Sequence, residues 1–260
     1  GDETATPGAP PGGGRDAGPE EPPVPPAPPR RAPAGGFEPE NGISGGLLGE
    51  PSTDFLRELD VLRENTEVLL SRNQRRVIAF TAALPGEGTT TLAVHFAYLL
   101  ARVAEKRVLL IDADMARSGP SLSEAVGECD GLTELLRGGG PIEKVILRTE
   151  QANLHFLPAG RDRIRHVEAV SSGQIRPLFE ELGGFYDTVV VDNAAALEHP
   201  EAPLIGAASD GVVLVVRANR TRREIVQRAV AELNFSRCRI LGTVLNARKE
   251  SLPGFLRERV

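Results

Sequence analysis

The sequence predicts an α/β fold, a doubly wound and mostly parallel sheet with helices on both faces. Runs rich in Val, Ile and Leu alternate along the chain with helical segments, as in proteins whose parallel strands are joined by helices. The strand-like runs are apolar throughout instead of alternating with polar residues, which indicates strands buried on both faces. A Gly-rich turn follows the first run, where such sheets bind ligands.

A Pro- and Gly-rich segment precedes this pattern. Residues 1–50 include "EEPPVPPAPPRRAPAGG" and almost no bulky apolar residues, so we expect a disordered tail. The tail holds eight acidic residues and three arginines, which accounts for −5 of the net charge of −6. Residues 51–260 are enough for one sizeable domain and are close to neutral. We expect no nucleic-acid partner, because such proteins usually carry a basic face.

The sequence predicts neither a membrane-spanning helix nor a signal peptide. No apolar run approaches the roughly 20 residues of a membrane-spanning helix, and "GDETATPGAP" has neither the basic start nor the apolar core of a signal peptide. The chain begins with Gly1 and not Met, so we interpret it as a processed chain or the C-terminal part of a longer one. Cys129 and Cys238 match no metal spacing and predict reduced thiols in a cytoplasmic protein.

The secondary structure is predicted in chain order from these patterns. The strands are predicted at 76–82, 107–114, 154–160, 187–193, 211–218 and 239–246. The helices between them are predicted at 90–104, 131–137, 174–183 and 222–234. The last helix begins "TRRE", in which Thr221 and Glu224 have the spacing of a capping box. Upstream, "STDFLRELDVLRENTEVLL" predicts an amphipathic helix packed on the domain.

The turn "AALPGEGTTTLA" joins the first predicted strand to the first of these helices. Gly86 and Gly88, on either side of Glu87, allow backbone amides to converge on an anion. The following helix directs its N-terminus to the same place, which also favours an anion. The segment therefore predicts a phosphate-binding loop, with a plain strand-to-helix turn as the alternative.

The residues after the glycines depart from the standard pattern. G-x-x-x-x-G-K-[ST] is matched with Ala83 at its first position and Thr89 in place of lysine. Thr90 occupies the position whose hydroxyl would hold Mg²⁺, and Thr91 follows it. The loop thus has the form of a nucleotide site without the positive charge of that lysine.

Carboxylates follow two of the buried strands. "VLLIDAD" ends in Asp112 and Asp114, and "VVVD" ends in Asp192. Single acids at strand ends are often caps or turn formers, but three at the ligand edge indicate a shared divalent cation with its phosphates. Mg²⁺ prefers few carboxylates together with water and phosphate oxygens.

From about Ser52 to Ala247, the sequence resembles the cytoplasmic tyrosine autokinases of bacterial capsule and exopolysaccharide synthesis, which are relatives of the chromosome-partitioning ATPases. The motifs that carry the resemblance, in the family's order, are "FTAALPGEGTTTLAVHFAYLLA", "RVLLIDADMARSGPSL", "GLTELLRGG", "NLHFLPAG", "YDTVVVDNAA", "SDGVVLVVRANRT" and "ILGTVLN". The resemblance implies a P-loop NTPase fold that binds ATP or ADP with Mg²⁺.

The resemblance also implies roles for four residues. Asp112 and Asp114 match the acids that activate the nucleophile and associate with Mg²⁺, and Asp192 matches the Walker B acid. Asn246 in "VLN" matches an adenine contact, with a simple turn Asn as the alternative.

Several departures from the family fall on function. Thr89 replaces the phosphate-binding lysine, and Ala116 replaces an arginine, with Arg117 beside it. The family's C-terminal tyrosine cluster is missing, because Tyr98 and Tyr186 are the only tyrosines. The sequence therefore predicts a loop that binds nucleotide weakly and is impaired in phosphoryl transfer.

The upstream helix departs from the family as well. In the family an E-x-x-R-x-x-R helix joins subunits in a ring, whereas this chain has Arg57, Asp60 and Arg63 at those positions, with the first two charges exchanged. We therefore favour a plain packed helix over a ring, and a homo-oligomer is the less favoured expectation.

These features together predict a regulatory pseudokinase. Its expected partner is a membrane-embedded polysaccharide co-polymerase or export protein, which would hold a cytoplasmic chain at the inner face of the cell membrane. One alternative is an active tyrosine kinase or ATPase that uses Arg117, Arg217 or a partner's arginine as the missing cation. A partitioning-type ATPase is another; "GLTELL" and "LPAG" favour the polysaccharide branch.

Overall fold

The fold is built on an eight-stranded sheet. The computed structural model describes residues 39, 41–42, 52–70, 76–114, 122–138, 140–161, 170 and 173–247. Within these ranges the strands are β1 (Asn41–Gly42), β2 (Arg76–Ala82), β3 (Val108–Ala113), β4 (Leu147–Arg148), β5 (Leu154–Leu157), β6 (Thr188–Asn193), β7 (Gly211–Arg217) and β8 (Ile240–Asn246). Their order across the sheet is β1-β4-β5-β3-β6-β2-β7-β8. All neighbouring strands are parallel except β4 and β5.

Helices connect most of the strands. They are α1 (Thr53–Leu69), α2 (Thr89–Arg102), α3 (Leu132–Leu136), α4 (Ile142–Val145), α5 (Ile175–Leu182), α6 (Glu201–Ala208) and α7 (Arg223–Phe235), with a 3-10 helix at Leu122–Val126. This arrangement confirms the predicted α/β class and the mostly parallel sheet.

The central strands are buried on both faces, which explains their continuous apolar sequences. On one face, residues such as Phe80 and Val190 pack beneath α1 and α2. On the other face, residues such as Leu109 and Val191 pack beneath α3, α5, α6 and α7. The sheet is therefore doubly wound, as predicted.

Besides the short unpredicted elements at Leu122–Val126, Ile142–Val145 and Leu147–Arg148, two further differences from the predicted elements have local causes. The strand predicted at 154–160 ends at Leu157, because the chain turns after it and Gly160 adopts a φ of 104°. Helix α6 was not predicted, since it contains Pro203 and Gly206 and has almost no amphipathic pattern to mark it.

Strand β1 lies within the segment that the sequence predicts to be a disordered tail. Asn41 pairs with Leu147 and Gly42 with Arg148, so β1 extends the sheet beyond β4. These two residues of the predicted tail therefore belong to the sheet. Backbone groups at a sheet edge pair with a passing chain whatever its side chains are, so composition did not reveal this strand. Apart from Pro39, the rest of the predicted tail lies outside the described residues.

The predicted amphipathic helix is α1, and it packs against α2. Leu59 is buried in the core, and the Phe55 ring lies edge-on to the His95 ring with 5.3 Å between centroids. At its C-terminal end, Glu67 forms ion pairs with Lys106 and with Arg63, the latter at 2.8 Å. Among the described segments, no helix is long and apolar enough to cross a membrane.

Both cysteines are free thiols, as the sequence predicts. Cys238 is buried, and its Sγ donates a hydrogen bond to the Pro203 carbonyl at 3.2 Å. Burial raises the pKa of the Cys238 thiol to about 11, so it is an unreactive core residue at neutral pH.

Candidate functional site

The Gly-rich turn lies between β2 and α2 at the C-terminal edge of the sheet. Gly86 and Gly88 have φ values of 77° and 96°, a left-handed conformation that favours glycine. Gly88 is the N-cap of α2, and Thr89 and Thr90 begin the helix. The turn therefore has two left-handed glycines directly before a helix N-terminus, as an anion-binding loop requires.

Glu87 holds this loop together from inside. Its side chain is only 3% exposed, and Oε2 accepts a hydrogen bond from Ala83 N at 3.0 Å. Oε1 accepts a hydrogen bond from the Thr221 hydroxyl. A buried carboxylate needs such donors, because burial without them is costly. Glu87 is thus a structural member of the loop, a role that the sequence pattern did not specify.

This contact makes the predicted capping box wrong. Helix α7 begins at Arg223, and its N-cap is Arg222, which makes no side-chain capping bond. The Thr221 hydroxyl is directed to the buried Glu87 carboxylate and not to the helix. A hydrogen bond to a buried carboxylate stabilises the fold more than a bond that caps a helix end would.

Asn246, at the end of β8, also reaches the loop. Its Nδ2 donates to the Glu87 carbonyl at 2.7 Å, and its Oδ1 accepts from Ala247 N at 2.7 Å. A Cβ atom added at Gly88 would lie 2.1 Å from Asn246 Nδ2. The side chain predicted to contact adenine is therefore bound to the loop backbone, and a larger residue at 88 would have to displace the end of the Asn246 side chain.

The two strand-end acids Asp112 and Asp192 lie opposite each other. They are register partners on β3 and β6, and each is 1% exposed. Asp192 is also the register partner of Phe80 on β2, so these side chains lie on the face covered by α2. The structure therefore brings the predicted Walker B acid and the first carboxylate of "LLIDAD" together at the edge where α2 begins.

Asp112 is already bound by protein donors. Its Oδ2 accepts from Ser123 Oγ at 2.6 Å and from Ser123 N at 3.1 Å, and its Oδ1 accepts from Asp114 N at 3.2 Å. Burial raises the pKa of Asp112, and the hydrogen bonds from Ser123 only partly offset that effect. Oδ2 thus accepts two hydrogen bonds, whereas Oδ1 accepts one and keeps acceptor capacity for a further ligand.

The three predicted acids do not form a metal cage by themselves. Asp114 follows β3 and is half-buried. Across the described ranges, no group of three or more His, Cys, Asp or Glu side chains is arranged to hold a metal ion. A Mg²⁺ ion at this edge would therefore depend on nucleotide phosphates and water for most of its ligands.

Ser123 was not among the predicted site residues. Its hydroxyl, which donates to Asp112, also accepts a hydrogen bond from Ala159 N at 2.8 Å. The contact joins positions 36 residues apart in the chain, so no local sequence pattern could indicate it.

The segments "GLTELL" and "LPAG" pack on each other beside Ser123. Leu132 N donates to the Pro158 carbonyl at 2.8 Å, and Thr133 Oγ1 donates to the Ala159 carbonyl at 2.9 Å. A Cβ atom at Gly131 would lie 2.1 Å from the Pro158 oxygen. The two motifs are thus one packing unit that supports the site.

Both tyrosines are held by neighbouring side chains. Tyr186 is 3% exposed, and its hydroxyl is 2.8 Å from His155 Nδ1. Tyr98 is half-buried on α2, and its hydroxyl accepts a hydrogen bond from Arg102, one turn further along the helix. Tyr98 thus lies within α2, and Tyr186 lies two residues before β6.

The charges of α1 interact within the helix. Asp60 Oδ1 accepts from Arg63 Nε at 2.6 Å, and Arg57 lies 3.5 Å from Asp54. The residues aligned with the family's ring-forming pattern thus have charged partners within the helix.

Of the two arginines predicted as substitute cations, the structure describes only Arg217. Arg217, at the end of β7, donates from a guanidinium nitrogen to the Gly86 carbonyl at 3.0 Å. Ala116 and Arg117 lie outside the described residues.

The parallel sheet, the loop before α2 and the paired strand-end acids define a P-loop nucleoside-triphosphatase fold. A family model described as "AAA domain" matches residues 75–234. The chain is 30% identical over 182 residues to the tyrosine-protein kinase CpsD of Streptococcus pneumoniae, covering 70% of this chain and 80% of that protein. It belongs to the AAA domain family and, within it, to the bacterial tyrosine autokinases of polysaccharide biosynthesis and export, which confirms the resemblance.

Three further similarities agree with this family. The succinoglycan biosynthesis transport protein ExoP of Rhizobium meliloti is 30% identical over 203 residues, which are 77% of this chain but 26% of ExoP. The VpsO kinase domain superposes with a TM-score of 0.64 at 30% identity, covering 75% of this chain and 97% of that domain. MinD from Pyrococcus horikoshii, solved with Mg-ADP, has a TM-score of 0.54 at 23% identity, covers 70% of this chain and 76% of MinD, and shares the fold.

Proposed function

We propose that this chain is an adenine-nucleotide-binding pseudokinase that regulates capsular or exopolysaccharide polymerisation or export. Its output would be the binding of a membrane-embedded polysaccharide co-polymerase or export protein, and not phosphoryl transfer. The chain would act in the cytoplasm, at the inner face of the membrane where that partner resides.

The observation that carries the proposal is a nucleotide-shaped loop without its cation. Gly86 and Gly88 keep the left-handed conformations of an anion cradle, while Thr89 supplies no charge at the first turn of α2. A lost charge-assisted hydrogen bond costs about 1.5–3 kcal/mol, or roughly one to two decades in affinity. Weak binding of ATP or ADP is the expected result, because the amide cradle remains.

Transfer should suffer more than binding. In phosphoryl transfer, catalysis consists largely of positioning and of stabilising charge on the transferred group, which is the task of the missing lysine. Bound nucleotide would supply the phosphate oxygens that Mg²⁺ needs, with Thr90, Asp112 and Asp192 as the nearest protein ligands. Burial raises the pKa of Asp112, an effect that a bound Mg²⁺ ion would oppose.

The partner is proposed from the relatives. One of them is named a biosynthesis transport protein, and this chain matches about a quarter of its length. A second relative, of which this chain covers 80%, is named a tyrosine-protein kinase. An autokinase domain that works beside or within a transport protein is well suited to control it through contact.

Two measurements on the purified chain test the proposal. Calorimetry with millimolar ATP and Mg²⁺ should detect weak binding that disappears when Mg²⁺ is chelated. Phosphotyrosine should not accumulate during incubation with ATP, since Tyr98 and Tyr186 are both held in the fold. Phosphotyrosine that forms on the parent chain and is lost in Asp112→Ala would replace this proposal with the active-kinase alternative. ATP turnover without phosphotyrosine would favour a partitioning-type ATPase.

A further inference from the structure

Two consecutive carbonyl groups of the Gly-rich loop are held by side chains from neighbouring strands. The Arg217 guanidinium donates to the Gly86 carbonyl at 3.0 Å, and Asn246 Nδ2 donates to the Glu87 carbonyl at 2.7 Å. Arg217 and Asn246 are the last residues of β7 and β8 and are register partners. The ends of two adjacent strands therefore donate hydrogen bonds to the loop from the same side.

Because the peptide group is planar, these two hydrogen bonds also fix the direction of the loop N–H groups. In a planar trans peptide the carbonyl of one residue and the N–H of the next point in opposite directions. With the carbonyls of Gly86 and Glu87 turned toward Arg217 and Asn246, the N–H groups of Glu87 and Gly88 point to the other side of the loop. Loop amides of this kind are the groups that a P-loop directs at phosphate oxygens.

The Glu87 side chain fixes the base of the same loop. Its carboxylate accepts hydrogen bonds from Ala83 N at one oxygen and from the Thr221 hydroxyl at the other. Thr221 follows β7 by four residues, so this third contact also comes from the β7 side of the sheet. The loop is thus braced at Gly86 and twice at Glu87.

We infer that Arg217 and Asn246 are positioning residues, which orient the amides of Glu87 and Gly88 for a diphosphate. This inference deepens the proposed nucleotide site and rests on it. In this role Asn246 holds the loop backbone through its hydrogen bond to the Glu87 carbonyl. It also places Arg217 on the side of the loop opposite the amides, so Arg217 does not replace the missing lysine as a phosphate-binding cation.

The test compares loop order in the ligand-free protein with affinity for ADP. Asn246→Asp keeps the shape of the side chain but removes the donor to the Glu87 carbonyl, and Arg217→Met removes the guanidinium. Asn234→Asp, on an exposed position of α7, adds the same charge change away from the loop and is the control. Thermal unfolding of each variant establishes that it is folded.

The expected result has two parts. In the ligand-free protein, the {¹H}–¹⁵N NOE values of the Gly86 and Gly88 amides should fall in Asn246→Asp and Arg217→Met, because the loop is no longer braced. Binding of ADP with Mg²⁺ should weaken about tenfold in each, as for one lost hydrogen bond to a preorganised loop. Asn234→Asp should match the parent in both measurements.

Other outcomes separate this inference from the proposed function. Weaker ADP binding with unchanged NOE values would mean that Arg217 and Asn246 contact the nucleotide directly, which overturns the inference. Unchanged values in both measurements would overturn it as well. If the parent binds no ADP while the NOE values fall as expected, the bracing stands and the proposed nucleotide function is wrong.

Discussion

Ser123 donates its hydroxyl to Asp112 Oδ2 at 2.6 Å, and the same hydroxyl oxygen accepts a hydrogen bond from Ala159 N at 2.8 Å. One side chain thereby links the acid at the end of β3 to the turn after β5. The carboxylate that the sequence predicts for chemistry is thus also part of the structural framework.

Replacing Ser123 should therefore destabilise the fold. Ser123→Ala removes one of the three hydrogen bonds to the buried Asp112 carboxylate and leaves Ala159 N without its acceptor, so we expect the free energy of unfolding to fall by about 2 kcal/mol. Urea denaturation at neutral pH measures it. Ser236→Ala, outside this network, should change stability by less than about 0.5 kcal/mol. Equal stability of the parent and Ser123→Ala would show that water replaces the hydroxyl at no cost.

Glu67 should make the stability of the fold depend on pH. Burial opposes its ionisation, but the hydrogen bond from Lys106 and the charges of Lys106, Arg63 and Arg76 outweigh burial and lower the pKa of Glu67 from its ordinary value. A carboxyl with a lowered pKa stabilises the fold above its unfolded pKa, and this contribution is lost as the pH falls through the folded pKa.

Glu67→Gln should thus lower the free energy of unfolding by about 1 kcal/mol at pH 7, the upper range for partly exposed ion pairs. The difference from the parent should shrink as the pH falls below about 4. Denaturation curves at pH 7 and pH 3 give both values. Asp54→Asn, whose side chain is 93% exposed, is the control and should have no measurable effect. A difference that is the same at both pH values would point to packing and not to charge.

The charges of α1 predict the assembly state. Asp60 and Arg63 pair within the helix, so the parent should be a monomer in light scattering. Arg57→Glu combined with Asp60→Arg restores the family's E-x-x-R-x-x-R order, and we expect larger assemblies at high protein concentration. Asp60→Arg alone is the control, since it lacks the restored acid. A parent that already forms rings would contradict this reading of the helix.

Much of the fold followed from the sequence because the signals were local. The continuous Val-rich runs predicted the central strands, since strands buried on both faces need no polar alternation. Helix α6 and strand β1 were missed for opposite reasons. The first has Pro203 and Gly206 within a nearly uniform apolar segment, and the second is only two residues held by backbone pairing.

The site was predictable to a lesser degree. The loop glycines and strand-end acids are marked by motifs, whereas the groups that hold them in place are not. Ser123, Thr221 and Arg217 reach their partners across 11, 134 and 131 residues of chain. The assignment of Thr221 to a helix cap illustrates the difficulty, because local spacing offered a nearby partner and the fold supplied a buried charge in its place.

If the loop keeps the shape of a nucleotide site and is missing the positive charge of its lysine, Thr89→Lys should strengthen the binding of ATP. The lysine would begin α2 beside the loop amides, and calorimetry with ATP and Mg²⁺ should show binding tighter by about 1.5–3 kcal/mol than in the parent. Thr91→Lys, on an exposed position of the same turn, supplies the same charge as a control and should gain much less. A Thr89→Lys variant that binds ATP no more tightly than the parent would show that the loop does not hold the phosphates of a nucleotide.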